Sequence, residues 1–277
     1  ADSETSFRRD QGGILANMGV HFLDYIESLL GPLTPLSYSD DSRGGIEANC
    51  EIHLATANGK PVRIKLSYTH GLRNRLRVLG EKGELSVSCG NFEHCEIHSR
   101  DGRVTGRLAP AVPFTAGCFL PTFESCFAEQ LSQFAQRVQS GGEPLVSAKA
   151  AARTADLIDW AYARRAAPPV HALSAHRPRL EPARTVVTGG TGFIGGALIE
   201  RLAELGFADV IVPVRSYRTC ANAARFPVIL RRTDLLDRAA VEALVCGARY
   251  VFHLAVDAER AIIGAGTRNI VRVAIDA

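Results

Sequence analysis

The chain has 277 residues, 46% hydrophobic and 22% charged, with a formal net charge of +3. That balance describes one large or two ordinary folded domains, and the charge is too small to argue for a nucleic-acid partner. No run approaches the roughly 18 apolar residues that would span a membrane. Cysteines number 7, an odd count without paired short spacings, and read as reduced thiols of a cytoplasmic protein. The sequence opens Ala1-Asp2-Ser3-Glu4, without a Met or a basic-then-apolar leader, and reads as the middle of a longer chain.

Residues 11–31 carry the first strong periodicity. Leu15, Met18, Phe22, Ile26 and Leu29 recur at helical spacing and predict one apolar stripe. Asn17, His21, Asp24 and Ser28 form a polar stripe beside it, and Gly31-Pro32 stops the helix. A lone helix histidine is ordinarily a surface or hydrogen-bonded group. Asn17 one turn earlier, Asp24 one turn later and the pair Gly12-Gly13 at the helix start make His21 a candidate functional group.

Residues 36–104 switch to strand periodicity. Residues 50–54 and 62–66 alternate on either side of Asn58-Gly59, residues 76–80 and 84–87 flank a turn at Gly83, and Asp101-Gly102 closes a third hairpin. Consecutive hairpins predict a largely antiparallel sheet with one face covered by helices. Cys89, His94, Cys95 and His98 are metal-capable, but their spacing matches no structural zinc site. Strand alternation accounts for them, so no metal is expected. Residues 121–165 return to helix. Phe123, Phe127, Leu131, Phe134 and Val138 keep a helical step and are expected in the core, and a second helix starts at Ser147-Ala148-Lys149. Residues 166–183, with Pro168-Pro169, Pro178 and Pro182, read as an extended, solvated linker.

Residues 185–196 follow. A short buried strand leads into glycines at Gly189, Gly192 and Gly195, then a helix. That spacing lets the backbone turn tightly, approach a pyrophosphate without obstruction, and start a helix whose free N–H groups face the phosphate charge. Strand and helix patterns alternate from there to the end, which predicts a parallel sheet.

The run Gly12-Gly13-Ile14-Leu15-Ala16-Asn17-Met18-Gly19-Val20-His21 with Asp24, and the later Phe134, Arg137, Gly141 and Pro144, give residues 1–165 a resemblance. They resemble the C-terminal domain of the glucose–fructose oxidoreductase / inositol dehydrogenase / rhizopine-catabolism (Gfo/Idh/MocA) family. In that family this helix closes over a nicotinamide and a sugar or cyclitol. The resemblance implies an acid/base or orienting role for His21, with Asn17 and Asp24 orienting substrate. The position of Asn17 is often Asp in the family; an amide takes no proton but can orient a hydroxyl. The resemblance implies a nucleotide-binding domain with a catalytic Lys on the N-terminal side of this region, and residues 1–11 carry no part of it.

Residues 184–277 resemble the extended short-chain dehydrogenase/reductases, the nucleotide-sugar epimerase and dehydratase group. The likeness rests on Thr188-Gly189-Gly190-Thr191-Gly192-Phe193-Ile194-Gly195, Asp234-Leu235, His253-Leu254-Ala255 and Gly266-Thr267-Arg268-Asn269-Ile270. It implies cofactor contacts at Gly189, Thr191, Gly192, Phe193, Ile194, Gly195, Arg215, Asp234, Leu235, Leu254 and Ala255. The second strand ends Pro213-Val214-Arg215-Ser216, without the acidic residue that NAD-selective sites place there. A guanidinium there can grip a 2′-phosphate, so NADP is favoured over NAD. The group's Tyr with a Lys four residues on is expected beyond Ala277; Tyr217 lacks that Lys and Tyr162 lies in the first region.

The fold class expected is α/β: an α+β domain with an open, mainly antiparallel sheet (1–165), a Pro-rich linker (166–183) and a partial Rossmann, doubly wound parallel domain (184–277). The expected protein is an NAD(P)-dependent oxidoreductase or epimerase acting on a sugar or nucleotide sugar, clipped at both ends. Neither nucleic acid nor membrane is an expected partner, and the first domain's sheet is a candidate for homo-oligomerisation. The alternative is a non-catalytic nucleotide-binding or oligomerisation module. A third reading is a permuted oxidoreductase whose nucleotide domain folds back onto His21, within reach of a linker of about 18 residues.

Overall fold

The computed structural model describes residue 7 and residues 11–89, 94–99, 101–107, 123–144, 147–166, 180–256 and 262–276. The architecture is mixed α/β, with two antiparallel sheets and one parallel sheet. The chain divides into two compact bodies, residues 1–71 with 153–277, and residues 72–152.

In the first body a π-helical turn, Leu15–Gly19, runs into helix α1, Val20–Leu30, followed by strands β1 (Leu33–Asp40), β2 (Asn49–Thr56) and β3 (Pro61–Ser67) in the antiparallel order β1-β2-β3. Cys50, Ile52 and Leu54 pair with Leu66, Ile64 and Val62. A period of two puts them on one face, and Ile52 and Leu54 are wholly buried. The expected hairpin turn is present, with Gly59 at φ +71° and its N–H donating to the Thr56 carbonyl at 2.8 Å.

The helix differs from its predicted stripe. Leu15 and Ile26 are buried as expected, but Met18 is 41% and Leu29 55% exposed, and Leu23 is wholly buried instead. The cause is the π turn. Its i→i+5 bond, Val20 N–H to the Leu15 carbonyl, inserts a residue relative to an α-helix and rotates everything after it. The buried line becomes Leu15, Gly19, Leu23, Ile26. Gly19 lets that line close on β3, since a Cβ there would stand 2.9 Å from Leu66 Cδ1. The helix ends at Gly31, φ +78°, as predicted. The buried carboxylate of Glu27 accepts from Leu33 N–H at 3.2 Å and from the Thr154 hydroxyl at 3.4 Å, tying the helix end to β1 and to helix α3 (Ala148–Tyr162).

The second body contains strands β4 (Arg75–Gly80), β5 (Gly83–Ser88), β6 (His94–Ser99) and β7 (Gly102–Arg107), an antiparallel meander in that order, and helix α2 (Phe123–Ser140). The stripe expected in the core stands largely in solvent: Phe127, Leu131, Phe134 and Val138 are 55–69% exposed. Amphipathic spacing marks a face that would gain from cover without specifying what covers it. Cys95 is buried on β6 while His94 and His98 are exposed, as alternation requires. No group of three metal-capable side chains assembles among the described residues, nor is any helix among them long and apolar enough to cross a membrane.

Returning to the first body, strands β8 (Thr185–Thr188), β9 (Val210–Val214), β10 (Val228–Arg232) and β11 (Tyr250–His253) form a parallel sheet in the order β10-β9-β8-β11. Helices α4 (Phe193–Glu204), α5 (Ala221–Ala224), α6 (Arg238–Val245) and α7 (Thr267–Asp276) connect or follow them. Val210, Val212 and Val214 join Ile199 and Leu202 in one core, while Val186 and Ile211 join Val241, Leu244 and Ile270 in another. Strands buried on both faces read as continuous apolar runs, hence Val-Ile-Val-Pro-Val in β9. This is a doubly wound, Rossmann-like arrangement.

Residues 41–46 pack on this parallel-sheet module within the same body. Arg43 and Gly45 N–H donate to the Arg225 carbonyl at 2.7 and 2.9 Å, and Ile46 N–H to the Ala224 carbonyl at 3.0 Å. Arg225 pairs with Asp41 at 3.1 Å, Arg43 pairs with Glu200, and Phe7 stacks on Tyr217. The expected linker falls mostly on residues 167–179, outside the described residues. Gly45 has no space for a side chain: a Cβ would stand 2.2 Å from the Ala224 oxygen and 2.3 Å from that of Phe226. Gly45→Ala is therefore expected to lower stability by about 2–3 kcal/mol. Urea unfolding measures it, and an unchanged midpoint would show that this docking is not made in solution.

Candidate dinucleotide cradle and the helix carrying His21

Each glycine after β8 answers to a different crowding. Gly189 turns the chain at φ +71°, and a Cβ on it would stand 2.6 Å from the carbonyl of Leu254. Gly190, whose role the spacing did not reveal, lets α4 close on β9: a Cβ there would meet Val212 Cγ1 at 2.7 Å and Ile199 Cδ1 at 2.8 Å. Gly195 brings the helix backbone onto the turn, with a would-be Cβ 2.2 Å from the Gly189 oxygen. Gly192 is exposed and extended at the head of α4, with no side chain capping the helix. Its N–H donates to Gly189 O at 3.0 Å. The first N–H groups of α4 thus lack a side-chain cap at the mouth of the turn, the arrangement that receives a phosphate. Thr191 is half-buried there, and Phe193 (95% exposed) and Ile194 flank the opening as apolar surface.

Just after β10, Asp234 is exposed, with Oδ1 accepting Leu236 N–H at 2.9 Å. Leu235 turns its side chain into the core, and its carbonyl accepts from the Asn269 amide at 3.1 Å. Arg215 is exposed at the end of β9. The parallel register sets Arg232 beside Val214, one residue before Arg215. Sequence reasoning missed this second exposed guanidinium because the pairing of β9 with β10 is a tertiary fact. Leu254 and Ala255 are half-buried; their N–H groups donate to the Thr188 hydroxyl at 3.1 and 3.2 Å.

On the helix, His21 is exposed on α1 and Asp24, three residues on, is half-buried. Asn17 sits in the π turn, half-buried. The turn changes its phase relative to His21 from that of a continuous α-helix. The glycine pair at the helix start serves an internal anion. The carboxylate of Glu47, wholly buried, accepts Leu15 N–H at 2.9 Å and the Tyr162 hydroxyl at 2.8 Å, and pairs with Arg165. Tyr162 in turn accepts N–H from Gly13 and Ala16, both at 3.2 Å. Burial raises the Tyr162 hydroxyl to about 12, so it remains protonated and can donate to Glu47. A Cβ on Gly13 would lie 2.3 Å from Glu47 Cδ. This buried pair, not a ligand, occupies the positive end of the helix.

Residues 4–167 match the family described as "Oxidoreductase family, C-terminal alpha/beta domain", and residues 185–263 match the "NAD dependent epimerase/dehydratase family". No curated protein matches the chain. Similar solved structures include a 3-ketoreductase from Actinomadura kijaniata in complex with NADP and TDP-benzene (19% identity, TM-score 0.47, 58% of this chain and 49% of that one). Another is an oxidoreductase from Agrobacterium radiobacter in complex with NAD+, L-tartaric acid and magnesium (20%, 0.42, 55% and 47%). A third is an aldose-aldose oxidoreductase from Caulobacter crescentus complexed with glycerol (19%, 0.44, 58% and 48%). The chain spans about half the length of each.

Proposed function

Because this chain belongs to the oxidoreductase family whose C-terminal alpha/beta domain residues 4–167 match, we propose that it serves nicotinamide-dependent oxidation or reduction of a sugar or nucleotide sugar. The substrate side lies in residues 1–165 and the nucleotide side in 184–277, with 166–183 as the link. The observation that carries the reading is the head of α4. Its uncapped N–H groups follow a turn at Gly189 onto which Gly195 of the helix packs, and neither glycine has room for a side chain. Those residues fit a dinucleotide: the backbone at Gly189, Thr191, Gly192 and Gly195 would hold the pyrophosphate, with Phe193 and Ile194 beside it, and Asp234 with the backbone of Leu235 would take the adenine. Leu254 and Ala255 run along it.

When bound, the nicotinamide supplies hydride chemistry. The chain's own part is proton handling and orientation. His21 exchanges a proton with the reacting hydroxyl, and Asn17 and Asp24 orient the neighbouring hydroxyls. The sheet of the first domain is the proposed surface for self-association. Unpaired thiols such as Cys50, Cys95 and Cys220 accord with a cytoplasmic setting.

Arg215 and Arg232 argue for NADP, since two guanidiniums at the ends of neighbouring strands suit a 2′-phosphate. Titration followed by nicotinamide fluorescence is expected to show NADPH binding more tightly than NADH. Arg215→Ala and Arg232→Ala should each weaken NADPH roughly tenfold, one charge-assisted contact, and leave NADH unchanged. Quenching by neither nucleotide would end the cofactor reading. Equal losses for both nucleotides would end the preference. A second reading, in which this cradle serves His21 of the same chain, draws on the docking of residues 41–46. It expects His21→Ala to alter NADPH binding as well.

A further inference from the structure

Thr188, His253 and Thr267 form one hydrogen-bonded line across the top of the parallel sheet. Thr188 Oγ1 lies 2.7 Å from His253 Nδ1, and His253 Nε2 lies 2.9 Å from Thr267 Oγ1. Thr267 Oγ1 donates to the Ile262 carbonyl at 3.1 Å. The protons in this line can be assigned by counting. Thr188 Oγ1 already accepts two amides, Leu254 N–H at 3.1 Å, shared with the Thr188 carbonyl at 3.2 Å, and Ala255 N–H at 3.2 Å. A hydroxyl has two lone pairs and one hydrogen, so what remains to Thr188 is its hydrogen, which goes to Nδ1. His253 must then carry its own proton on Nε2 and give it to Thr267, whose hydrogen is committed to Ile262.

We propose that His253 is a positioning residue of the dinucleotide cradle, a neutral imidazole protonated on Nε2 that links Thr188 at the end of β8 to Thr267 at the start of α7. The line holds the backbone where the cofactor needs it. The amides of Leu254 and Ala255 that Thr188 collects belong to the segment that presses against Gly189, where a Cβ would stand 2.6 Å from Leu254 and 2.8 Å from Ala255. Burial lowers the imidazole's affinity for a second proton, which keeps the acceptor on Nδ1 available. A doubly protonated ring would present a donor to a hydroxyl whose lone pairs are taken. The inference rests on the cofactor reading above and adds a residue that touches no cofactor atom itself.

The test uses the full chain labelled with 15N-histidine, the His253 signal being identified by its loss in His253→Leu. The expected spectrum shows His253 with a bare Nδ1 and a protonated Nε2, and Thr188→Val alters that signature. NADPH titrations should show Thr188→Val and His253→Leu each weakening affinity about tenfold, with circular dichroism unchanged. The double variant is expected to lose no more than either single one, as groups acting in one line do. His253→Gln, which keeps an amide acceptor and an N–H donor, should recover part of the affinity. A proton found on Nδ1, or NADPH binding intact in a folded His253→Leu, overturns the inference while leaving the cofactor reading in place. Failure of the unaltered chain to bind either nucleotide would overturn the cofactor reading and the positioning role together.

Discussion

Gly195→Leu is expected to abolish binding of NADPH and NADH and to lower the unfolding midpoint, whereas Gly192→Leu abolishes binding alone. The two glycines sit three residues apart in one motif, and the structure separates their tasks. A Cβ on Gly195 would lie 2.2 Å from the Gly189 carbonyl oxygen and 2.7 Å from Gly190 Cα. Both are backbone atoms, so no rotamer change relieves the overlap. Helix α4 would have to lift from the turn, at a cost of about 3 kcal/mol or more, and the phosphate cradle would open. At Gly192 the nearest atom to a Cβ is 3.2 Å away, and the backbone, at φ −82° and ψ 175°, is extended. Any residue adopts that conformation, and only the Gly189 oxygen must give by a few tenths of an ångström, so folding loses far less than at Gly195. A leucine there would stand before the uncapped α4 amides, the space that the proposed function gives to a pyrophosphate. Thermal unfolding beside nucleotide titration distinguishes the two variants. A Gly195→Leu protein that unfolds like the parent, or a Gly192→Leu protein that still binds, would refute this division of labour.

Glu47→Ala carries the second large effect, a loss of about 3 kcal/mol: the carboxylate is wholly buried, while its partner Arg165 is 26% exposed and keeps Asp40. The carboxylate is wholly buried and serves Leu15 N–H, the Tyr162 hydroxyl and Arg165 together. Arg165 also bonds Asp40 at 2.7 Å and lies 4.1 Å over the Tyr162 ring. It would therefore keep one partner and lose the other. Calorimetry should register a fall in the melting temperature on the order of 10 °C. Tyr162→Phe removes the oxygen that accepts from Gly13 and Ala16 and should cost about 1–3 kcal/mol. The pair of variants should be less than additive, because each already breaks the contact between the two groups. A melting temperature unmoved by Glu47→Ala would mean that the helix carrying His21 is held in some other way.

These two predictions differ in how far the sequence foretold them. The glycine cradle was legible because its information is local. Strand, turn and helix follow one another within a dozen or so residues, and each glycine announces a place where a side chain cannot stand. The hairpins at Asn58-Gly59, Gly83 and Asp101-Gly102 were legible for the same reason, since turn dipeptides set the register of the strands that leave them. The antiparallel and parallel sheets therefore emerged as expected. The Glu47 network was invisible. Glu47 lies 32 residues from Leu15, 115 from Tyr162 and 118 from Arg165. No spacing rule relates side chains that only folding brings together.

Two errors in the helical stripes have a common cause. Helical periodicity assumes an unbroken α-helix and says which side chains share a face. The π turn at Leu15–Gly19 broke the phase and placed Leu23, rather than Met18 and Leu29, under cover. On α2 the periodicity held, yet Phe127, Leu131, Phe134 and Val138 remain exposed, because burial depends on what lies opposite.

By itself, then, the sequence determined what short-range sterics determine in this protein: the order of strands and helices, the hairpin turns, and a tight glycine turn that opens a helix. The tertiary structure alone decided that a buried carboxylate occupies the start of the helix bearing His21. It likewise decided that Arg232 stands beside the end of β9, and that Thr188, His253 and Thr267 align across the sheet. Those arrangements depend on desolvation and on hydrogen-bond partners distant in sequence, which become neighbours only when the apolar faces have closed.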